Sequence, residues 1–133
     1  MNRLTLRGAG FVIAAVVCCS SSWSTILDTF DAIGGWKDPN YSGSTSADPA
    51  CTFTIVSSPR REGTGAGDLY YVWGSGSFIR EVNSTQPVIP ADCVLSVWIY
   101  GDSSGNEVRL CVRDQEGELF TNDYTTIDFT GWH

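Results

Sequence analysis

Residues 94–114 read VLSVWIYGDSSGNEVRLCVRD, two alternating runs flanking a Gly-Asp-Ser-Ser-Gly-Asn turn. Alternation of apolar and polar side chains is the mark of a half-buried strand, and a turn rich in Gly, Asp and Asn joins two such strands into a β-hairpin. In the first strand Leu95, Val97 and Ile99 share one face, and Ser96, Trp98 and Tyr100 share the other. The second run puts Val108, Leu110 and Val112 on one face and Arg109, Cys111 and Arg113 on the other. If the aliphatic faces meet in the core, the opposite face carries Trp98, Tyr100, Arg109 and Arg113 together.

Working outward, further strands are expected at Ile26–Phe30, Cys51–Val56, Leu69–Trp73, Phe78–Val82 and Ile127–Phe129, with the hairpin arms at Val94–Tyr100 and Glu107–Arg113. These runs are rich in Val, Ile, Thr and aromatics, and Gly, Pro, Asn, Asp and Ser break them. Asp38–Ala50 and Pro59–Gly67 read as surface loops. No window has a helical period and no internal repeat is present. Many short strands imply an all-β, antiparallel β-sandwich, because each sheet must bury one face against another.

The N-terminus reads as an export signal. Arg3 and Arg7 precede the uncharged run GAGFVIAAVVCC, residues 8–19, and small residues follow at Ser20–Ser24. The apolar run falls short of the roughly 20 residues that a spanning helix needs. Cleavage after Ser24 divides the chain into a signal peptide, residues 1–24, and one domain, residues 25–133, in a secreted, cell-surface or periplasmic setting. An uncut membrane anchor or a lipoprotein are the alternatives. Arg3 and Arg7 leave with the signal, so six basic residues face 15 acidic ones, a net charge of −9. Such a surface repels phosphates, which argues against nucleic acid and, after cleavage, against an anionic membrane.

Catalytic chemistry finds little support. His133 is the single histidine and the last residue, so a Ser–His–Asp or Cys–His arrangement lacks its base. Most acids sit in turns, at Asp38, Asp48, Asp92, Asp102, Glu116 and Asp123, which suits solvated carboxylates better than a paired catalytic set. Of the cysteines beyond the signal, Cys51, Cys93 and Cys111, an odd one remains after any internal disulfide, and one is expected as a small buried apolar residue. Asp28 and Asp31 have a spacing that can contribute to a calcium site but fall short of its six to eight oxygens. Sugars offer apolar C–H faces ringed by hydroxyls, so an exposed aromatic beside Arg or Asp meets both needs. Trp98 and Tyr100 are the best placed, since Leu95, Val97 and Ile99 already supply the strand's core face.

Three segments carry a resemblance: ILDTFDAIGGW (26–36), VWIYGDSSGNEVRLCVRDQEGELF (97–120) and IDFTGWH (127–133). Together they resemble the galactose-binding-like jelly-roll domains found as carbohydrate-binding modules beside glycosidases, including phosphodiester glycosidases. The resemblance implies a jelly-roll β-sandwich that holds a polysaccharide or oligosaccharide near a glycosidase partner, without being an enzyme. It implies Trp98, Tyr100 and Arg109 on the sheet face, where the alternation also puts Arg113. It also implies a structural calcium to which Asp28 or Asp31 contributes. The family's further strands after the "G-W" have no counterpart here, so the chain is expected to be the front part of such a domain. The competing expectations are a protein-interaction domain whose aromatics are all core, and a small glycosidase using carboxylates alone.

Overall fold

The computed structural model describes residues 11–20, 23–40, 50–73, 78–83, 85, 89 and 94–133. Among them there is no helix. The elements are β1 Phe11–Ser20, β2 Trp23–Asp28, β3 Thr52–Val56, β4 Ala66–Tyr70, β5 Val94–Asp102, β6 Glu107–Val108, β7 Cys111–Arg113, β8 Leu119–Thr121, β9 Thr125–Thr126 and β10 Thr130–Trp132. A six-stranded antiparallel sheet runs β10-β5-β1-β4-β3, and β2 pairs with the remaining length of β1. Two smaller antiparallel pairs, β6 with β9 and β7 with β8, complete the described strands.

The alternation expected for residues 94–100 holds. Leu95 and Val97 pack against the core cluster and Ile99 is buried, which leaves Trp98 and Tyr100, both half-buried, on the opposite face. The hairpin does not form. β5 pairs with β1 and β10, whereas β6 pairs with β9. The turn residues explain the divergence. Asp102 Oδ1 accepts from Ser104 N–H, and Ser103 and Gly105 both take positive φ. The turn's amides then look to the returning chain, Ser103 N–H donating to Phe129 O and Gly105 N–H to Ile127 O. Asn106 completes the crossing, accepting from Ile127 N–H and donating through Nδ2 to the Tyr71 hydroxyl. The chain thus turns a corner from the large sheet into a second layer. Val108 of that layer faces Val97 and Ile99 across a gap of about 90 Å³.

The run expected as one strand at 107–113 is split, and Leu110 N–H donates to Asn122 Oδ1 at the break. β7 and β8 close over the Asp114-Gln115-Glu116-Gly117 turn. Asp114 Oδ1 accepts from Glu116 and Glu118 N–H, and Arg113 donates to Gly117 O. Phe78–Val82 is not a strand: Val82 O accepts from Lys37 N–H, and the neighbouring Asn83 makes an isolated bridge to Trp36. The apolar run read as the heart of an export signal is, over Phe11–Ser20, strand β1.

Phe30, Cys51, Phe53, Leu69 and Tyr71 form the core, with Leu27, Trp36, Ile55, Ile79, Leu95 and Val97 packed around it. Phe53 and Leu69 face each other across the β3–β4 ladder. Phe30, wholly buried, meets Trp36 at 5.3 Å and Phe53 at 6.3 Å between ring centroids. Full burial of such a ring contributes about 2–3 kcal/mol. Positive φ is costly for a bulky residue, and Phe30 adopts φ 54° because Asp28 Oδ1 accepts its N–H. Cys51 behaves as the expected small buried residue: its Sγ accepts from Val72 N–H at 3.3 Å and lies 3.5 Å from Val72 O. Cys111 is an exposed free thiol, and Cys93 lies outside the described residues.

Candidate functional site

The outer face of the large sheet gathers side chains that are far apart in the chain. The registers define one row across five strands: Trp132 opposite Tyr100, Tyr100 opposite Val12, Val12 opposite Asp68, and Asp68 opposite Thr54. Leu69 and Gly67 point inward, Gly67 lying against the Phe53 ring, so Asp68 and Tyr70 take the outer face with Trp98 and Tyr100. With strands about 4.8 Å apart, Tyr100 and Asp68 are roughly 10 Å apart along the row.

Trp132 meets Tyr100 edge to face at 5.4 Å. Ile99 and His133 exchange both backbone hydrogen bonds, so the neighbouring Tyr100 and Trp132 form a close, non-hydrogen-bonded pair. Arg61, from the loop between β3 and β4, holds its guanidinium over the Trp98 ring at 4.3 Å. Such a cation–π contact contributes about 0.5–1 kcal/mol at an exposed site. Burial pushes the Asp68 carboxyl above its ordinary value.

The structure therefore brings Trp98 and Tyr100 together, as the alternation predicts, but separates them from Arg109 and Arg113. Arg109 lines the gap beneath Val97 and Ile99 and lies over the Tyr124 ring at 4.6 Å. Arg113 closes the β7–β8 turn. Both follow the corner at 103–106 into the second layer. Their expected co-location depended on the hairpin that does not form. Arg61, Asp68 and Trp132 replace them around the aromatics. The sequence reading misses Asp68, because residues 59–67 read as a loop and the strand as beginning at Leu69; the pleat of β4, Ala66–Tyr70, puts Asp68 on a face, and which face depends on the partner strands.

Asp28 and Asp31 are committed to the chain itself. Asp28 accepts from Phe30 N–H at 2.7 Å and, through its other oxygen, from the Trp36 indole at 2.8 Å. Asp31 Oδ1 accepts from the backbone N–H and hydroxyl of Thr64 and from Gly65 N–H, while Oδ2 accepts from the Thr29 hydroxyl. The Thr64 amide, then the Thr64 and Thr29 hydroxyls, hold the Asp31 carboxyl down at about 2. These partners are donors, whereas calcium needs convergent oxygens. The two aspartates do not fit a calcium ion, and among the described residues no group of three His, Cys, Asp or Glu side chains is placed to hold a metal.

The gap between the layers is no ligand cavity either. At about 90 Å³ it is well below the roughly 300 Å³ where small-molecule pockets begin. The strongest titration shift lies elsewhere. Both Glu81 carboxylate oxygens are buried without a hydrogen-bond partner among the described residues, and burial, aided by the Asp38 charge, raises its pKa to about 8. Comparison with protein-family models, with curated proteins and with solved structures finds no match for this chain.

Proposed function

We propose that this chain is a non-catalytic carbohydrate-binding module, exported by its N-terminal signal and built on a jelly-roll, galactose-binding-like β-sandwich. One observation carries the reading: Trp98, Tyr100 and Trp132 lie together on the outer face of a sheet whose inner face is already filled, with Arg61 and Asp68 beside them. Aromatic faces stack on pyranose rings, and the guanidinium and carboxyl bond the flanking hydroxyls. An open face accommodates a chain of sugars rather than a single small molecule, which suits a polysaccharide held near a glycosidase. The acidic surface is compatible with a neutral glycan.

The test is affinity electrophoresis of the full chain through gels containing soluble polysaccharides, with Trp98→Ala and Arg109→Ala as variants. Trp98→Ala weakens retention at least ten-fold, about 1.4 kcal/mol, with the thermal melt intact. Arg109→Ala leaves retention unchanged because it sits on the other layer. Equal retention of Trp98→Ala and the parent overturns the assignment.

A protein-interaction domain is the second reading, favoured by Leu119, Phe120 and Tyr124, each at least half exposed on the second layer. Binding that is lost with Phe120→Ser and indifferent to every glycan supports it.

A further inference from the structure

Strand β1 holds the large sheet together. One edge runs antiparallel to Val94–Tyr100 of β5. The other is shared, with Phe11–Ile13 against Gly67–Leu69 of β4 and Val16–Ser20 against β2. In the strand order β4 and β5 are not neighbours, and among the described strands β1 is the one paired with both. Its sequence, FVIAAVVCCS, has no charge, no proline and no glycine.

On the export reading proposed above, on which this inference rests, the same residues carry the signal's apolar core. Cleavage after Ser24 removes all of β1 and the first two residues of β2. The backbone N–H and C=O groups of Ile99–Tyr100 then face Gly67–Asp68 of β4, and those of Leu95–Val97 face Thr25–Asp28, the remainder of β2, across a gap one strand wide, roughly 10 Å. Leu95, Val97, Phe53 and Leu69 belong to the packed core side of that gap, so its floor is apolar. Unpaired rows of backbone groups are strong templates for another strand.

We propose that this gap is a strand-addition site, and that in the processed protein it takes an extended, uncharged, apolar segment donated by a partner polypeptide, antiparallel to β4 and β5 alike. Only a peptide backbone offers alternating donors and acceptors to both rows at once; a glycan or a lipid does not. Residues 11–20 show the required chemistry, since they occupy the site in the unprocessed chain. The site is distinct from the outer aromatic face and does not depend on what that face binds.

The experiment starts from the full chain with a specific protease sequence inserted after Ser21. The chain is folded, cut, and challenged with a fluorescent peptide of residues 11–20 carrying terminal lysines for solubility, under reducing conditions. A second peptide carries Ala14→Pro and Val17→Pro, which remove ladder donors. The cut chain takes up one equivalent of the first peptide and binds the proline peptide at least ten-fold more weakly. If losing the segment unfolds the cut chain, the first peptide restores its circular dichroism and the proline peptide does not. Equal uptake of both peptides, failure to restore the fold, or loss of the segment with an unchanged melt and no uptake overturns the proposal. Retention on polysaccharide is measured separately, so failure of either idea is distinguishable.

Discussion

Asp28, the last residue of β2, ties that strand to the core, and its removal tests that account. Asp28→Ala deletes two bonds from a carboxylate, one to Phe30 N–H at 2.7 Å and one to the Trp36 indole at 2.8 Å. Hydrogen bonds to a charged group contribute about 1.5–3 kcal/mol each, and partial exposure of this one favours the lower figure. The expected loss is therefore about 3 kcal/mol. Part of it comes from the Phe30 backbone, whose positive φ loses its tether, and part from an indole N–H left without its acceptor. For a domain with a urea slope of about 2 kcal/mol per M, the unfolding midpoint falls by about 1.5 M. Urea unfolding followed by tryptophan fluorescence reads it directly. Asp28→Asn keeps one acceptor oxygen but turns an N–H₂ towards one of the two donors, so it falls between parent and Asp28→Ala. A double-mutant cycle with Trp36→Phe isolates the indole bond and returns a coupling of about 1–1.5 kcal/mol. A midpoint shift under 0.3 M, or strict additivity in the cycle, refutes the account.

Gly101→Ala places a Cβ 2.5 Å from the Phe129 ring and from its carbonyl oxygen. Overpacking of this kind costs about 1–3 kcal/mol, so calorimetry shows a melt lowered by roughly 5–15 °C, and Phe129→Leu in the same chain recovers part of it. Glu81 holds a proton in the folded state up to about pH 8 that the unfolded chain releases near 4.5. The folded state binds more protons in that window, so stability declines as pH rises from about 4.5 through 8. Glu81→Gln flattens that slope in urea titrations between pH 5 and 9, and identical slopes for both proteins contradict it. Asp31 has the opposite sign. Its carboxyl sits near 2 when folded, so its contribution is present above the ordinary value of 3.8 and lost as pH falls towards 2. At neutral pH, Asp31→Asn frees the loop at Thr64, and trypsin cleaves at Arg60 and Arg61 several-fold faster. An unchanged cleavage rate counts against the tether.

The legible part of the fold is the part governed by local alternation. Thr52–Val56 and Val94–Tyr100 are strands because inward Phe53, Ile55, Leu95, Val97 and Ile99 alternate with outward residues, and that is visible without knowing any partner. Partner choice is a different matter. Residues 101–106 have the chemistry of a hairpin turn, yet the amides of Ser103 and Gly105 bond to Phe129 and Ile127, from a segment well further along the chain. The apolar run at 11–20 illustrates a second limit. An uncharged, apolar run serves equally as the central strand of a sheet and as the core of an export signal, so periodicity cannot choose between them. Asp28 and Asp31 show a third. Whether a carboxylate serves a metal or an amide depends on what surrounds it, and the N–H groups of Phe30, Trp36, Thr64 and Gly65 come from three separate segments.

The candidate site inherits these limits in a specific way. The pleat assigns Trp98 and Tyr100 to the face away from the core, since Leu95, Val97 and Ile99 fill it. What stands beside them is set by register. Trp132 reaches Tyr100 because β10 returns antiparallel to β5, and Asp68 reaches the same row only through Val12 of β1. A one-residue slip of β1 against either neighbour would move Asp68 out of line with Tyr100, because side chains change face at every residue. Any strand that replaces β1 therefore sets the spacing between the two halves of the outer face. If the aromatic row binds an extended glycan, the glycan's fit depends on the identity and register of the strand in that gap. Peptides that fill the gap in different registers should then alter polysaccharide retention while leaving the Trp132–Tyr100 contact, which lies wholly on the β5 side, in place.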